Sequence, residues 1–414
     1  MMKSMPLLLA PAGSMRPLKT ALRFGADAVY CGAKQYGLRA QAGNFEEEEL
    51  AEAVCLAHAA GAQLYLTLNI FASDGDLPGM VRMAQTARDI GVDAVIVSDL
   101  GAIARIAREV PGLAIHVSTQ ASTMNAEAAR VYRDLGASRV VLARELTLDQ
   151  IEGMAEALRE EMELEAFIHG AACMAYSGRC MLSSYLTGRS ANRGACSQPC
   201  RWTYSLHEHT RPDEALPIEE DAHGTAILSS RDICMMDFLP RMMESGVSCF
   251  KIEGRMKTEI YIATVVGAYR RAMDAYARDP AAYAQDEALR KELRAELDKV
   301  SHRVYDTGFY FGRPQVCGEA VGVTQEMEYM GYVLDVSGGV ALVEMKNRFF
   351  VGDRLETVTP SGSRPFLVED IVLDETGEHV KVVNVPLQRV RIPCAEGLEA
   401  GDMLRGPVRN RKNA

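Results

Sequence analysis

The stretch "FGADAVYCG" (24–32) reads as the end of a helix, a glycine, a short polar step and then an apolar run. The same order returns in "AGAQLYLTLN" (60–69), "IGVDAVIVSD" (90–99), "LGASRVVLAR" (135–144) and "SGVSCFKIEGR" (245–255). A glycine at that point suits a helix C′ position that needs positive φ. The apolar run after it is what a parallel strand covered on both faces requires, since neither face meets water. Each repeat is therefore one helix-to-strand step. Adding "PLLLAPAG" (6–13), "LAIHVSTQ" (113–120) and "LEAFIHG" (164–170) gives eight strands, near 7–10, 28–31, 63–68, 94–98, 114–117, 139–143, 164–168 and 248–252. Eight strands alternating with helices over roughly 250 residues have the count and length of an α/β protein of the (β/α)8, TIM-like barrel class. An open doubly wound sheet shares the alternation and is the rival.

With 414 residues, 48% of them hydrophobic, the chain can bury one large core and a smaller second one. After the eighth strand, "DEALRKELRAELDKV" (286–300) places acidic and basic residues at helical spacing on a solvated face. Beyond about 318 the texture changes to β alternation with turns, as in "GYVLDVSGGVALVEM" (331–345). The expected organisation is a TIM-like barrel over 1–315, with a cysteine-rich insertion at about 169–225, a helical extension at about 258–300, and a small β-rich domain, a small β-barrel, over 316–408.

A net charge of −11 gives no global attraction for nucleic acid or anionic membrane, so any such contact must come from a local patch. The apolar run of "MMKSMPLLLAPAGS" (1–14) is too short for a signal-peptide core or a membrane span and reads as a buried strand. No membrane association is expected. Ten cysteines without a secretory signal suggest reduced thiols, metal ligands or core residues, and a cytoplasmic protein.

Four of those cysteines, Cys173, Cys180, Cys196 and Cys200, follow one strand with spacing C-x6-C-x15-C-x3-C. Four thiolates complete the shell of a tetrahedral zinc or of a cubane iron–sulfur cluster, and the lack of a C-x2-C knuckle favours the cluster. Cys234 is a further thiol to weigh as an extra or substitute ligand. Cys31, Cys55 and Cys249 lie in apolar runs and read as small core residues. No Asp or Glu occurs between Glu165 and Glu208, while Arg179, Arg189, Arg193 and Arg201 stand beside Tyr176, Tyr185, Trp202 and Tyr204. Arginines for phosphates with rings for bases suit a single-stranded or looped RNA; a negatively charged cluster would also favour cations nearby.

These motifs, "EAFIHGAACMAYSGRCMLSSYLTGRSANRGACSQPCRW" (165–202), "KIEGRMK" (251–257), "GADAVYCG" (25–32) and "SHRVYDTGFYFG" (301–312), resemble the collagenase-like peptidase family U32, over about residues 5–405. The resemblance implies a TIM barrel followed by a small β-domain. It also implies an oxygen-independent hydroxylase with a [4Fe-4S] cluster held by Cys173, Cys180, Cys196 and Cys200. The type that the chain resembles most converts the tRNA wobble uridine to 5-hydroxyuridine with prephenate as cosubstrate. Other members act on ribosomal RNA or quinone precursors, and the family name records a peptidase attribution. The expected partners are tRNA, a small anionic cosubstrate and other modification proteins.

In a barrel, chemistry belongs at the C-terminal ends of the strands. On this reading Arg144, Lys251 and Arg255 would clamp the carboxylates of prephenate. His169 and Glu253 would move protons as the catalytic pair, and Asn69 and Gln120 would bond a ring or base edge. Against hydrolysis, the chain has no HExxH helix and no GxSxG elbow, and using His169 with Cys173 as a dyad would take a thiol from the cluster.

Overall fold

The computed structural model describes residues 5–39, 43–173, 175–202, 207–208, 211–215, 230–312, 314, 323–394 and 397–409. The boundary expected at 315/316 and most of 203–225 lie outside the described residues. Two compact units form: one from residues 1–18, 26–257 and 303–323, the other from 19–25, 258–302 and 324–414.

In the first unit, β1 (Leu7–Pro11), β2 (Ala28–Gly32), β3 (Gln63–Leu68), β4 (Ala94–Val97), β5 (Ala114–Val117), β6 (Arg139–Val141) and β7 (Glu163–Ala171) pair in sequence, all parallel. Strand β11 (Cys249–Ile252) pairs in parallel with both β7 and β1 and closes the ring. This is the eight-stranded parallel barrel, not the open sheet. Helices α1 (Met15–Arg23), α2 (Glu47–Ala59), α3 (Leu77–Asp89), α4 (Leu100–Glu109), α5 (Ala126–Asp134), α6 (Leu148–Leu158) and α8 (Leu239–Glu244) alternate with the strands.

The repeated glycines do what their positions demand: Gly25, Gly61, Gly91, Gly136 and Gly246 all have φ between 71 and 101°. The shared "GxD" has a second use. Asp27 Oδ2 accepts the Leu8 N–H at 2.8 Å and Asp93 Oδ2 accepts the Leu64 N–H at 2.7 Å, each carboxylate capping the start of the preceding strand. Inside the ring, Leu9, Ala28, Tyr30, Tyr65, Ala94, Ile96 and Cys249 form one buried cluster.

The segment 232–244, which leads into α8, opens with β10 (Asp232–Cys234), which pairs antiparallel to the end of β7 and parallel to β12 (Tyr305–Asp306) before α8 begins. Three buried residues are too short a run for a period to show, and only the partner strands reveal the pairing. Cys55 is exposed rather than in the core, because α2 buries the face of Leu50, Ala53, Val54 and Ala57, and Cys55 falls off it. Between β7 and β10 lie the short helix α7 (Leu182–Thr187) and a hairpin of β8 (His207–Glu208) and β9 (Arg211–Ala215).

The second unit contains an antiparallel sheet of seven strands, β13 (Met327–Ser337), β14 (Val340–Met345), β16 (Arg354–Thr359), β17 (Gly362–Leu367), β18 (Val372–Leu373), β20 (Arg389–Pro393) and β21 (Met403–Pro407), in the order β17-β16-β21-β13-β14-β20-β18. A separate pair, β15 (Phe349–Phe350) and β19 (Val382–Val383), lies beside it in the chain. The two-residue turn Gly338–Gly339, φ 57 and 76°, joins β13 to β14. The helical segment that the sequence attaches to the barrel, α9 (Glu259–Arg278), α10 (Pro280–Gln285) and α11 (Glu287–Asp298), falls in this unit. Its bond to the sheet is chemical: Arg405 on β21, fully buried, donates to Glu296 of α11 at 2.6 Å and to Glu356 of β16 at 2.9 Å. No helix among the described residues is long and apolar enough to cross a membrane.

Candidate active site at the barrel mouth

A cavity of about 150 Å³ opens where the strands end. Asn69 follows β3, Gln120 follows β5, Arg144 follows β6, and Lys251, Glu253 and Arg255 end or follow β11; all six line it. Cys173, Cys180, Cys196 and Cys200 line it too, from the loop after β7. His169 does not: it is buried in β7, its ring against Tyr305 at 5.2 Å between centroids. Cys234 is buried in β10, opposite His169 in register, and is likewise absent from the lining.

The thiol loop is fastened to the loops after β3 and β6. Ser177 donates its N–H to Glu145 at 2.9 Å, Phe71 donates its N–H to the Asn192 carbonyl at 2.9 Å, and Arg193 pairs with Asp76 at 3.0 Å. Asn192 also donates to the Cys180 carbonyl at 2.9 Å, so one residue ties a cysteine to the loop after β3. Gly178, at φ 76°, runs against the Gln120 backbone; a Cβ there would stand 2.1 Å from the Gln120 carbonyl oxygen. Within the loop, the buried Ser183 hydroxyl donates to the Arg189 carbonyl at 2.7 Å and contacts Ser197 at 2.9 Å. The Gln198 N–H donates to Cys196 Sγ at 3.4 Å.

Cys200 is within electrostatic reach of the other three thiols. Burial raises the Cys200 pKa; Arg201 lowers it, and Cys173, Cys196 and Cys180 each push it up again. Among the described residues no three His, Cys, Asp or Glu side chains converge as the ligands of a single ion. All four cysteines nonetheless line the same cavity.

The cations fall into two groups. Lys251 is pinned, its Nζ donating to the buried Glu165 at 2.7 Å over the Tyr30 ring. Arg255 is pinned as well, donating to the Leu38 carbonyl at 2.8 Å, to Thr67 at 3.0 Å and to Asn44. Asn69 is similarly occupied, accepting from the Leu38 N–H at 3.1 Å and donating to Ser118 at 3.3 Å. Arg144 is different. Its guanidinium lies 3.8 Å from the Phe167 ring centroid and reaches Glu253 only at 3.4 Å; its buried Nε, like that of Arg255, has no hydrogen-bond partner.

Arg39 completes the set and was not read from the sequence. It lines the cavity in a left-handed conformation, φ 74°, and reaches the other Glu253 oxygen at 3.5 Å; Glu253 first, and Cys173 and Cys196 less, raise its pKa. Burial would raise the Glu253 pKa, but Arg39, Arg144, Lys251 and Arg255 outweigh it and hold the pKa below the ordinary glutamate value. Glu253 is thus an ionised counter-charge at neutral pH, a proton acceptor rather than a donor. Both of these ion pairs are longer than the usual 2.7–2.9 Å of a charge-assisted bond, which leaves Arg39 and Arg144 donor capacity for an incoming anion.

A parallel α/β barrel with ionisable groups and thiols around a cavity at the C-terminal ends of its strands has the architecture of a barrel enzyme. The chain belongs to peptidase family U32: the family model "Peptidase family U32" matches residues 13–319 and "Peptidase family U32 C-terminal domain" matches 325–405. It is 39% identical over 407 residues to tRNA hydroxylation protein P1 of Bacillus subtilis (strain 168), covering 97% of this chain and 94% of that one. Identity to 23S rRNA 5-hydroxycytidine C2501 synthase of Escherichia coli (strain K12) is 34% over 378 residues, 87% of this chain and 56% of the relative. A protein named collagenase from Porphyromonas gingivalis (strain ATCC BAA-308 / W83) is 33% identical over 417 residues, 96% of each.

Proposed function

We propose that the protein is a tRNA-modifying hydroxylase that converts the wobble uridine to 5-hydroxyuridine without molecular oxygen, using prephenate and a [4Fe-4S] cluster. The observation that carries this reading is the meeting of four thiols and a surplus of cations around one cavity. The near full-length similarity to a relative named for tRNA hydroxylation supports the RNA substrate.

Cys173, Cys180, Cys196 and Cys200 would hold the cluster, which supplies redox or Lewis-acid chemistry when bound. Arg144 and Arg39 would receive the carboxylates of the cosubstrate, exchanging loose contacts with Glu253 for closer ones. Lys251 and Arg255 keep the cavity positively charged while bracing its wall. Asn69 fixes the loops after β2 and β5 on either side of it. Glu253 would accept a proton at its carboxylate, and His169 would act through its packing in β7.

Peptide hydrolysis, suggested by the family name and the collagenase relative, fits the site less well. A thiol protease needs a base directed at its nucleophile, and His169 packs on Tyr305 outside the cavity lining. Mass spectrometry of tRNA nucleosides from a strain lacking the protein tests the proposal. Loss of 5-hydroxyuridine, restored by the wild-type gene and not by Cys196→Ala, is expected; unchanged 5-hydroxyuridine with lost peptide cleavage would favour the hydrolase.

A further inference from the structure

We infer that the outer face of the thiol loop is a docking platform for single-stranded or looped RNA, with Tyr185 and Trp202 as stacking surfaces and Arg179 and Arg189 as phosphate contacts. The inference rests on the RNA reading above and says where that RNA sits.

Large apolar side chains on this loop point outward where a folded chain normally covers them. Tyr185 is 86% exposed, Met181 75%, Tyr176 57% and Trp202 43%. They are held on fixed backbone rather than a loose strap. Tyr185 is on α7, the helix that Ser183 and Thr187 tie to Ser197, and Trp202 directly follows the turn Pro199–Arg201, which packs on α7. Rigid exposed rings cost little to order when a base stacks on them.

Charge selects the partner. Of the loop's arginines, Arg193 is consumed by Asp76 and the Phe71 carbonyl, and Arg201 by Gln198. Arg179 and Arg189 are exposed and have no acidic partner among the described residues. The segment itself has no acidic residue between Glu165 and Glu208, in a chain whose net charge is −11. A local basic, aromatic face on an acidic protein fits a polyanion with stacking rings better than an acidic or apolar protein surface. Tyr176 links the two sites, since it is both exposed and part of the cavity lining, so a base passed from the platform meets it at the entrance.

Trp202 is the only tryptophan of the chain, which makes the test direct. Unlabelled anticodon stem-loop RNA is titrated into the full-length protein while the tryptophan emission is followed, and binding is measured separately by the anisotropy of a fluorescein-labelled copy. Quenching that saturates with the anisotropy is expected. Tyr185→Ala should weaken binding by roughly 5- to 100-fold, and Arg179→Ala with Arg189→Ala should reduce the salt dependence by about two counterions. Binding without any change in Trp202 emission, with wild-type affinity in both variants, would overturn the platform, as would no binding at all. An emission change that follows protein concentration without RNA would instead identify a second copy as the occupant and overturn it too. Quenching by RNA combined with normal 5-hydroxyuridine in the deletion strain would leave the platform standing and remove the hydroxylase reading.

Discussion

Lys251 Nζ and Glu165 Oε1 lie 2.7 Å apart within the barrel, their side chains 6% and 0% exposed. Glu165 also faces Arg139 at 3.6 Å, so one carboxylate stands between a cation that lines the upper cavity and one deeper in the ring. Removing the carboxylate leaves the buried Lys251 without its 2.7 Å partner, while Arg139 keeps Glu163 at 2.6 Å. Glu165→Ala is expected to cost about 3–5 kcal/mol of stability, and Lys251→Met less, because Arg139 still answers Glu165. Urea unfolding of the two variants measures the difference.

Glu253 sets a pH dependence with a defined sign. Its folded pKa is depressed below the ordinary glutamate value, so its ionised form contributes stability above the unfolded pKa, and that contribution is lost as pH falls through the folded one. The stability advantage of wild type over Glu253→Gln should hold from neutral pH down to the ordinary glutamate range and disappear only below it. Denaturation midpoints across acidic pH check this.

Arg39 and Arg144 should act as a pair on an anion. Replacing either by Gln is expected to weaken binding of a dicarboxylate to the protein by about 10- to 100-fold, the worth of a charged hydrogen bond. Arg255→Gln should instead lower the melting temperature, since its donors hold Leu38, Thr67 and Asn44. Calorimetric titration and thermal melts separate the two effects.

Gly178→Ala should detach the thiol loop. A Cβ would meet the Gln120 carbonyl, and the residue would keep a left-handed φ that alanine disfavours. Iron retained after anaerobic purification is expected to fall sharply, while the barrel unfolds at nearly the wild-type urea concentration.

The barrel was legible because its code is local: a glycine that needs positive φ, then a doubly buried strand, as at Gly25, Gly91 and Gly136. The four thiols stood out as a group because the segment that holds them is short, and all four line the cavity. What could not be read depends on partners distant in sequence. β10 becomes a strand only against β7 and β12, and the helices of 258–298 join the sheet through Glu296 and Arg405. Arg39 lies in an irregular stretch with no period, so nothing local marks it. Strand-end position correctly brought Arg144, Lys251, Glu253 and Arg255 to one cavity. It could not tell the arginine with open donors from the one already bound to the wall, and it counted His169 among groups whose cavity it does not line.

Iron and acid-labile sulfide, quantified on anaerobically purified protein beside its Mössbauer spectrum, address the central claim most directly. The account predicts about four of each per chain, lost when any of Cys173, Cys180, Cys196 or Cys200 is replaced by alanine and kept in Cys234→Ala. One tightly held zinc, or metal-free protein that hydroxylates tRNA at the full rate, would contradict it.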